Sequence, residues 1–123
     1  MFVNGQKIAV TIKGTYVEGH LRIEILPNKI WYIVCHNKVS VERLGNFGIF
    51  PDDNNIFGYK YSYPFSLKEF KKAIDPQYLK KELCPQVGDT LRRNKGPFLT
   101  VIETFTNCCL IADLSGPCPV TYE

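Results

Sequence analysis

Apolar and polar positions alternate in the first third of the chain. From Lys7 to Lys13, Ile8, Val10 and Ile12 alternate with polar or small residues. Leu21, Ile23 and Ile25 then alternate with His20, Arg22 and Glu24. A period of two predicts half-buried strands, with Gly14 and Gly19 as punctuation. After a Pro27-Asn28 turn signal, Ile30 to Cys35 is apolar on both faces, which predicts the central, most buried strand of a sheet. Residues 37–55 read as a long polar loop interrupted by Phe47, Ile49 and Phe50. A fourth strand, Ile56 to Tyr63, follows, with Phe57, Tyr59, Tyr61 and Tyr63 on one face.

The pattern then changes. Ser66-Leu67-Lys68-Glu69 fits a capping box and predicts a short helix to about Ala73. Asp75-Pro76 reads as an N-cap and first helical position, opening a second short helix to about Leu83. From Pro85 strands return: Val87 to Leu91, Phe98 to Phe105, Cys108 to Leu114 and Val120 to Tyr122, with Asn94-Lys95-Gly96 and Thr106-Asn107 as turns. The predicted fold is mostly β (α+β). An antiparallel sheet or partial barrel spans residues 3–63, two short helices span 66–83, and a small barrel spans 85–123. The corresponding divisions are an N-terminal lobe 1–65, a helical connector 66–84 and a C-terminal lobe 85–123.

Two resemblances rest on these runs. Residues 85–123, a short strand opened by Val87-Gly88-Asp89 and then hairpin-linked strands, resemble a small SH3-like or KOW-type barrel. The run Trp31-Tyr32-Ile33, Asn37 and Phe57-Gly58-Tyr59-Lys60-Tyr61-Ser62-Tyr63 resembles small phage and prophage proteins with a GYxYSW-like strand, Tyr63 standing where those carry Trp. That resemblance implies a mobile-element accessory protein and brings no activity with it.

Composition changes the picture in two ways. The 123 residues fit one compact domain or two small lobes sharing a core, and burial at this length suffices without staples. Cys35, Cys84, Cys108, Cys109 and Cys118 are odd in number and include an adjacent pair, which suits free thiols in a reducing compartment. The N-terminal residues lack a basic stretch followed by an apolar one, and no apolar run approaches the roughly 18 residues of a membrane span. A cytoplasmic protein is the expectation. Charge is uneven. Residues 60–95 hold nine bases against four acids, whereas residues 96–123 hold three acids and no base.

Candidate chemistry is sparse. Cys35-His36 joins a thiol to an imidazole, but neighbours on a strand face opposite ways; only His20, on the preceding strand, could approach Cys35. No cysteine pair has zinc-knuckle spacing, although Cys84, Cys109 and Cys118 could converge. Asp52-Asp53-Asn54-Asn55 lacks the alternation and glycine of a calcium loop. There is no phosphate-binding glycine motif. No catalytic residue, cofactor or metal site is expected.

Binding is better supported. Tyr59-Lys60-Tyr61-Ser62-Tyr63 interleaves a cation with aromatics, and Lys68, Lys71, Lys72, Lys80, Lys81, Arg92, Arg93 and Lys95 could neutralise phosphates. Phe47, Phe50, Tyr59, Tyr61, Arg92 and Arg93 could instead anchor a protein. The expected function is a non-enzymatic binding protein that inhibits a host protein or ribonucleoprotein complex, an anti-CRISPR or other anti-defence protein being the sharpest version. An RNA- or DNA-binding SH3-like module is the alternative, and a thiol- or metal-dependent enzyme the third. No membrane partner is expected.

Overall fold

The computed structural model describes residues 5–37, 61–78, 84–93 and 96–122. It is mostly β, as the alternation predicts: β1 (Lys7–Ile12), β2 (Thr15–Ile25), β3 (Ile30–His36), β4 (Tyr61–Phe65), α1 (Leu67–Ala73), β5 (Thr90–Arg93), β6 (Phe98–Thr104), β7 (Cys108–Asp113) and β8 (Gly116–Thr121). The strands form one curled mixed sheet in the order β4-β3-β2-β5-β6-β7-β8, with β1 added to β2. Every pairing is antiparallel except β2 with β5.

The hub is β2. It pairs with β1 over Thr15 to His20, with β3 over His20 to Ile25, and with β5 at Glu24 and Ile25. Gly19 does not end a strand, as its type suggested; β2 runs through it. A Cβ there would collide with the carbonyl oxygen of Cys35, so glycine lets the β2 and β3 backbones approach. Lys13 and Gly14 both have positive φ, 49° and 81°, which closes the β1–β2 hairpin with a two-residue turn matched to strand twist. β3 is buried along both faces apart from half-buried Trp31, as its unbroken apolar run predicts.

The capping box at Ser66 forms as expected. Ser66 Oγ accepts from the Glu69 backbone N–H at 3.2 Å, and Glu69 Oε1 accepts from the Ser66 N–H at 3.1 Å. α1 buries Leu67 and Phe70 and exposes Lys68, Lys71 and Lys72. Phe70 stacks on Tyr32, ring centroids 5.0 Å apart. The Asp75 N–H then bonds the Ala9 carbonyl, tying the end of the helix to β1. Of the second predicted helix, the described part is a single 3₁₀ turn, Pro76–Tyr78; the remainder lies outside the described residues.

One apolar cluster joins both ends of the chain. It holds Ile8, Leu21, Tyr32 and Phe70 together with Leu91, Val101, Ile111, Val120 and Tyr122. Arg93 pins this join. Its guanidinium donates to the Pro27 carbonyl at 3.3 Å and lies 3.6 Å from the Asp113 carboxylate. β8 ends the sheet order, and the Thr121 N–H on its outer edge donates to Asn28. By alternation the backbone nitrogens of 117 and 119 share that edge. Both are proline, so they offer no N–H to an incoming strand.

Candidate docking face

Strand alternation divides the side chains between the core and an outer face. Ile23, Ile25, Tyr32, Val34, Leu91, Val101 and Ile111 point into the main cluster. Their neighbours Arg22, Glu24, Trp31, Ile33, Cys35, Arg92 and Phe98 therefore share the outer face. Ile33, Cys35, Leu26 and half-buried Trp31 form a second, smaller cluster there.

Register brings four of these residues into one row. Trp31 lies opposite Glu24, Glu24 opposite Arg92, and Arg92 opposite Phe98. The row crosses β3, β2, β5 and β6, so at the usual spacing between strands its ends are about 14 Å apart. Burial along it runs half-buried, buried, half-buried and exposed. The Trp31 indole is fixed: its N–H donates to the Leu26 carbonyl at 2.8 Å, and the Lys29 ammonium sits 4.8 Å from the ring centroid. Beside the row, Arg22 donates to Glu24 Oε2 at 2.6 Å, with side chains only 6% and 2% exposed. Taking both charges out of water is costly, and the short contact offsets the cost only while both partners are present.

The face continues onto bare sheet. Phe98 is 57% exposed and Ile102 43%, while Phe105 at the β6–β7 turn is 48%. Thr100, Ala112, Pro117 and Pro119 are also exposed. Among the described residues, five of the six exposed large hydrophobic side chains (Val87, Phe98, Ile102, Phe105 and Leu114) belong to residues 87–114. A β-bulge between Val101 and Glu103 returns Glu103 to the outer face opposite Leu110.

The residues expected to bind do not gather in one place. Lys68, Lys71 and Lys72 form an exposed stripe on α1, with the Lys71 ammonium 3.9 Å from Cys84 Sγ. Arg92 lies on the outer face, but Arg93 turns the other way and is engaged within the fold. Tyr61 and Tyr63 are half-buried. Tyr61 packs by His36 at 5.8 Å between ring centroids, and Tyr63 packs by Phe65 at 4.9 Å. Phe47, Phe50, Tyr59, Lys60 and Lys95 lie outside the described residues, as do Lys80, Lys81 and Asp52 to Asn55. Glu24, Trp31 and Phe98 had no signal of their own, because the row exists only once β2 meets β5.

Cys35 and His36 do face opposite ways. Cys35 belongs to the outer cluster, and His36 sits fully buried by Tyr61. Burial lowers the His36 imidazole to about 4. His20 lies directly opposite Cys35, and Cys35 opposite Ser62. Burial, then the Lys7 charge, holds His20 below the ordinary histidine value, so at neutral pH it is uncharged. Cys35 is 1% exposed and Ser62 is fully buried, whereas His20 is half-buried. Glu24, an acid on the same face, accepts from Arg22. Cys109 is fully buried, which pushes its thiol up to about 11. Among the described residues no group of three His, Cys, Asp or Glu side chains is placed to hold a metal ion. No helix of the described residues is long and apolar enough to cross a membrane.

Comparison with known proteins found no matching family model, no similar curated protein and no similar solved structure.

Proposed function

We propose that this chain is a non-enzymatic binding protein that covers a surface of a host macromolecule, in the manner of a phage or mobile-element inhibitor of a defence complex. The observation that carries the proposal is the outer row Trp31–Glu24–Arg92–Phe98 running onto exposed Phe98 and Ile102. Tryptophan, arginine and other aromatics dominate protein interfaces because they combine large apolar area with few rotors and directional polar groups. Contiguous exposed apolar surface on a small protein is most often an interaction site. Residues 85–123 serve in this reading as an SH3-like module, which the consecutive antiparallel pairing of β5 to β8 supports. The working compartment is the cytoplasm, where free thiols persist.

Nucleic acid is the second reading, favoured by the lysine stripe of α1. It is the weaker one. The described tyrosines of the aromatic strand are half-buried against other rings and present little face for stacking. Pull-down from candidate hosts separates the two. A protein complex captured by the wild type, inhibited by it, and lost with Phe98→Asp but kept with Lys68→Glu/Lys72→Glu supports the proposal. Capture abolished by nuclease, falling steeply with salt and lost with the lysine variant replaces it with the nucleic-acid reading.

A further inference from the structure

We propose that Lys71 and Cys84 form a covalent cross-link when the protein meets a peroxide, a sulfur–nitrogen bond joining α1 to the chain that enters β5. Proximity is the first observation. The Lys71 ammonium lies 3.9 Å from Cys84 Sγ, although the two residues are thirteen positions apart. Access is the second. Cys35 and Cys109 are buried, whereas Cys84 is half-buried and Lys71 exposed, on a flexible four-carbon stem. Support is the third. Cys84 packs against the main cluster and α1 is anchored through Leu67 and Phe70, so closing the gap asks only the lysine side chain to move. Half-buried Cys118 also has a nitrogen neighbour, the Arg93 guanidinium at 3.8 Å. A guanidinium keeps its proton and its lone pairs are delocalised, so it does not attack sulfur; a lysine amine does. The reaction takes two steps. Hydrogen peroxide transfers one oxygen to the Cys84 thiol, giving a sulfenic acid and water; the sulfur loses two electrons and the O–O bond breaks. Lys71 gives its ammonium proton to water, and the amine lone pair attacks that sulfur. The S–N bond forms, the S–O bond breaks, and the oxygen leaves as water with one amine hydrogen. Two equivalents of a thiol reductant restore the thiol and the amine and depart as a disulfide. The link also takes the Lys71 charge out of the exposed stripe it shares with Lys68 and Lys72.

The test treats the full chain with hydrogen peroxide, blocks the remaining thiols, and reads the intact mass and the tryptic peptides. The expected product has lost two hydrogens, resists trypsin at Lys71, and yields a peptide joining Lys71 to Cys84; dithiothreitol restores the starting mass. A disulfide has the same mass change, and two variants separate it from this bond. Lys71→Arg keeps the charge and removes the amine, so Cys84 should stop at the sulfenic acid and label with a cyclic diketone at least about fivefold more than in the wild type. Cys84→Ser should abolish the joined peptide, and the circular dichroism of both variants should match the wild type. A disulfide from Cys84 to another cysteine, an oxidised Cys84 with the Lys71 amine intact, or an unmodified Cys84 overturns the proposal. Equal diketone labelling of the wild type and Lys71→Arg overturns it as well.

Discussion

The outer surface has two halves built by the same alternation and finished differently. Across β2, β3 and β4 it carries Arg22, Ile33, Cys35, Ser62 and Pro64, all buried. Across β6, β7 and β8 it carries Phe98, Thr100, Ala112, Pro117 and Pro119, all exposed. Residue chemistry follows the difference. Ions in the buried half are paired within hydrogen-bond distance, and its edge is apolar. The bare half mixes apolar and hydroxyl side chains with little charge, the composition of an interface core. The Trp31–Phe98 row lies at the border between them. Burial on the inner face and in the buried half of the outer one supplies the stability; the bare half is surface that stability does not require, and so surface open to function.

The largest way to break this comparison lies in the buried half. Glu24→Leu leaves the Arg22 guanidinium buried without its acid and should cost about 3–5 kcal/mol, read by urea unfolding. The double variant Arg22→Met/Glu24→Leu should recover much of that loss, since an apolar pair needs no counter-charge. If the single change proves nearly neutral, the buried half is wetter than its burial implies. Ile33→Ala should cost about 2–5 kcal/mol because Ile33 is fully buried on the outer side of β3.

A pH series sharpens the comparison by asking what neutral burial is worth. The folded His36 imidazole is lowered to about 4 from an ordinary value of 6.5, so the unfolded chain binds the proton more readily. Its contribution is therefore complete above pH 6.5 and lost progressively as pH falls towards 4. The loss should be on the order of 2–3 kcal/mol at pH 4, and His20, also lowered, adds in the same direction. Urea midpoints at several pH values measure it, and His36→Gln should flatten the curve.

The smallest effects belong to the bare half. Phe98→Ser should move stability by no more than about 0.5–1 kcal/mol while abolishing partner binding. A large loss of stability there would mean that Phe98 is part of the core and would remove the docking face. Replacing Pro117 and Pro119 together with Val should leave the monomer folded but make it self-associate through the β8 edge, visible by light scattering.

Much of the fold was legible in the residues because it is local. Alternation around Ile8–Ile12 and Leu21–Ile25 marks half-buried strands, the apolar run Ile30–Cys35 marks a strand buried on both faces, and Ser66 with Glu69 marks a helix start. The site was less legible. Arg92 and the α1 lysines were found by charge alone, and charge does not distinguish Arg92, which lies in the outer row, from Arg93, which turns inward to Asp113. Gly19 read as a break because glycine usually ends strands; here a close backbone approach retains it.

By itself, then, the amino-acid sequence determined a mostly β chain, the places where several strands and the helix begin, and the alternation of sides along Ile8–Ile12 and Leu21–Ile25, since these follow from neighbours a few positions away. Tertiary structure alone decided that Glu24 meets Arg92, that both ends of the chain share one core, and that one half of the outer surface is buried while the other stays bare. Those outcomes depend on strand pairing between distant segments, and no short-range pattern encodes which edge of β2 will receive β5.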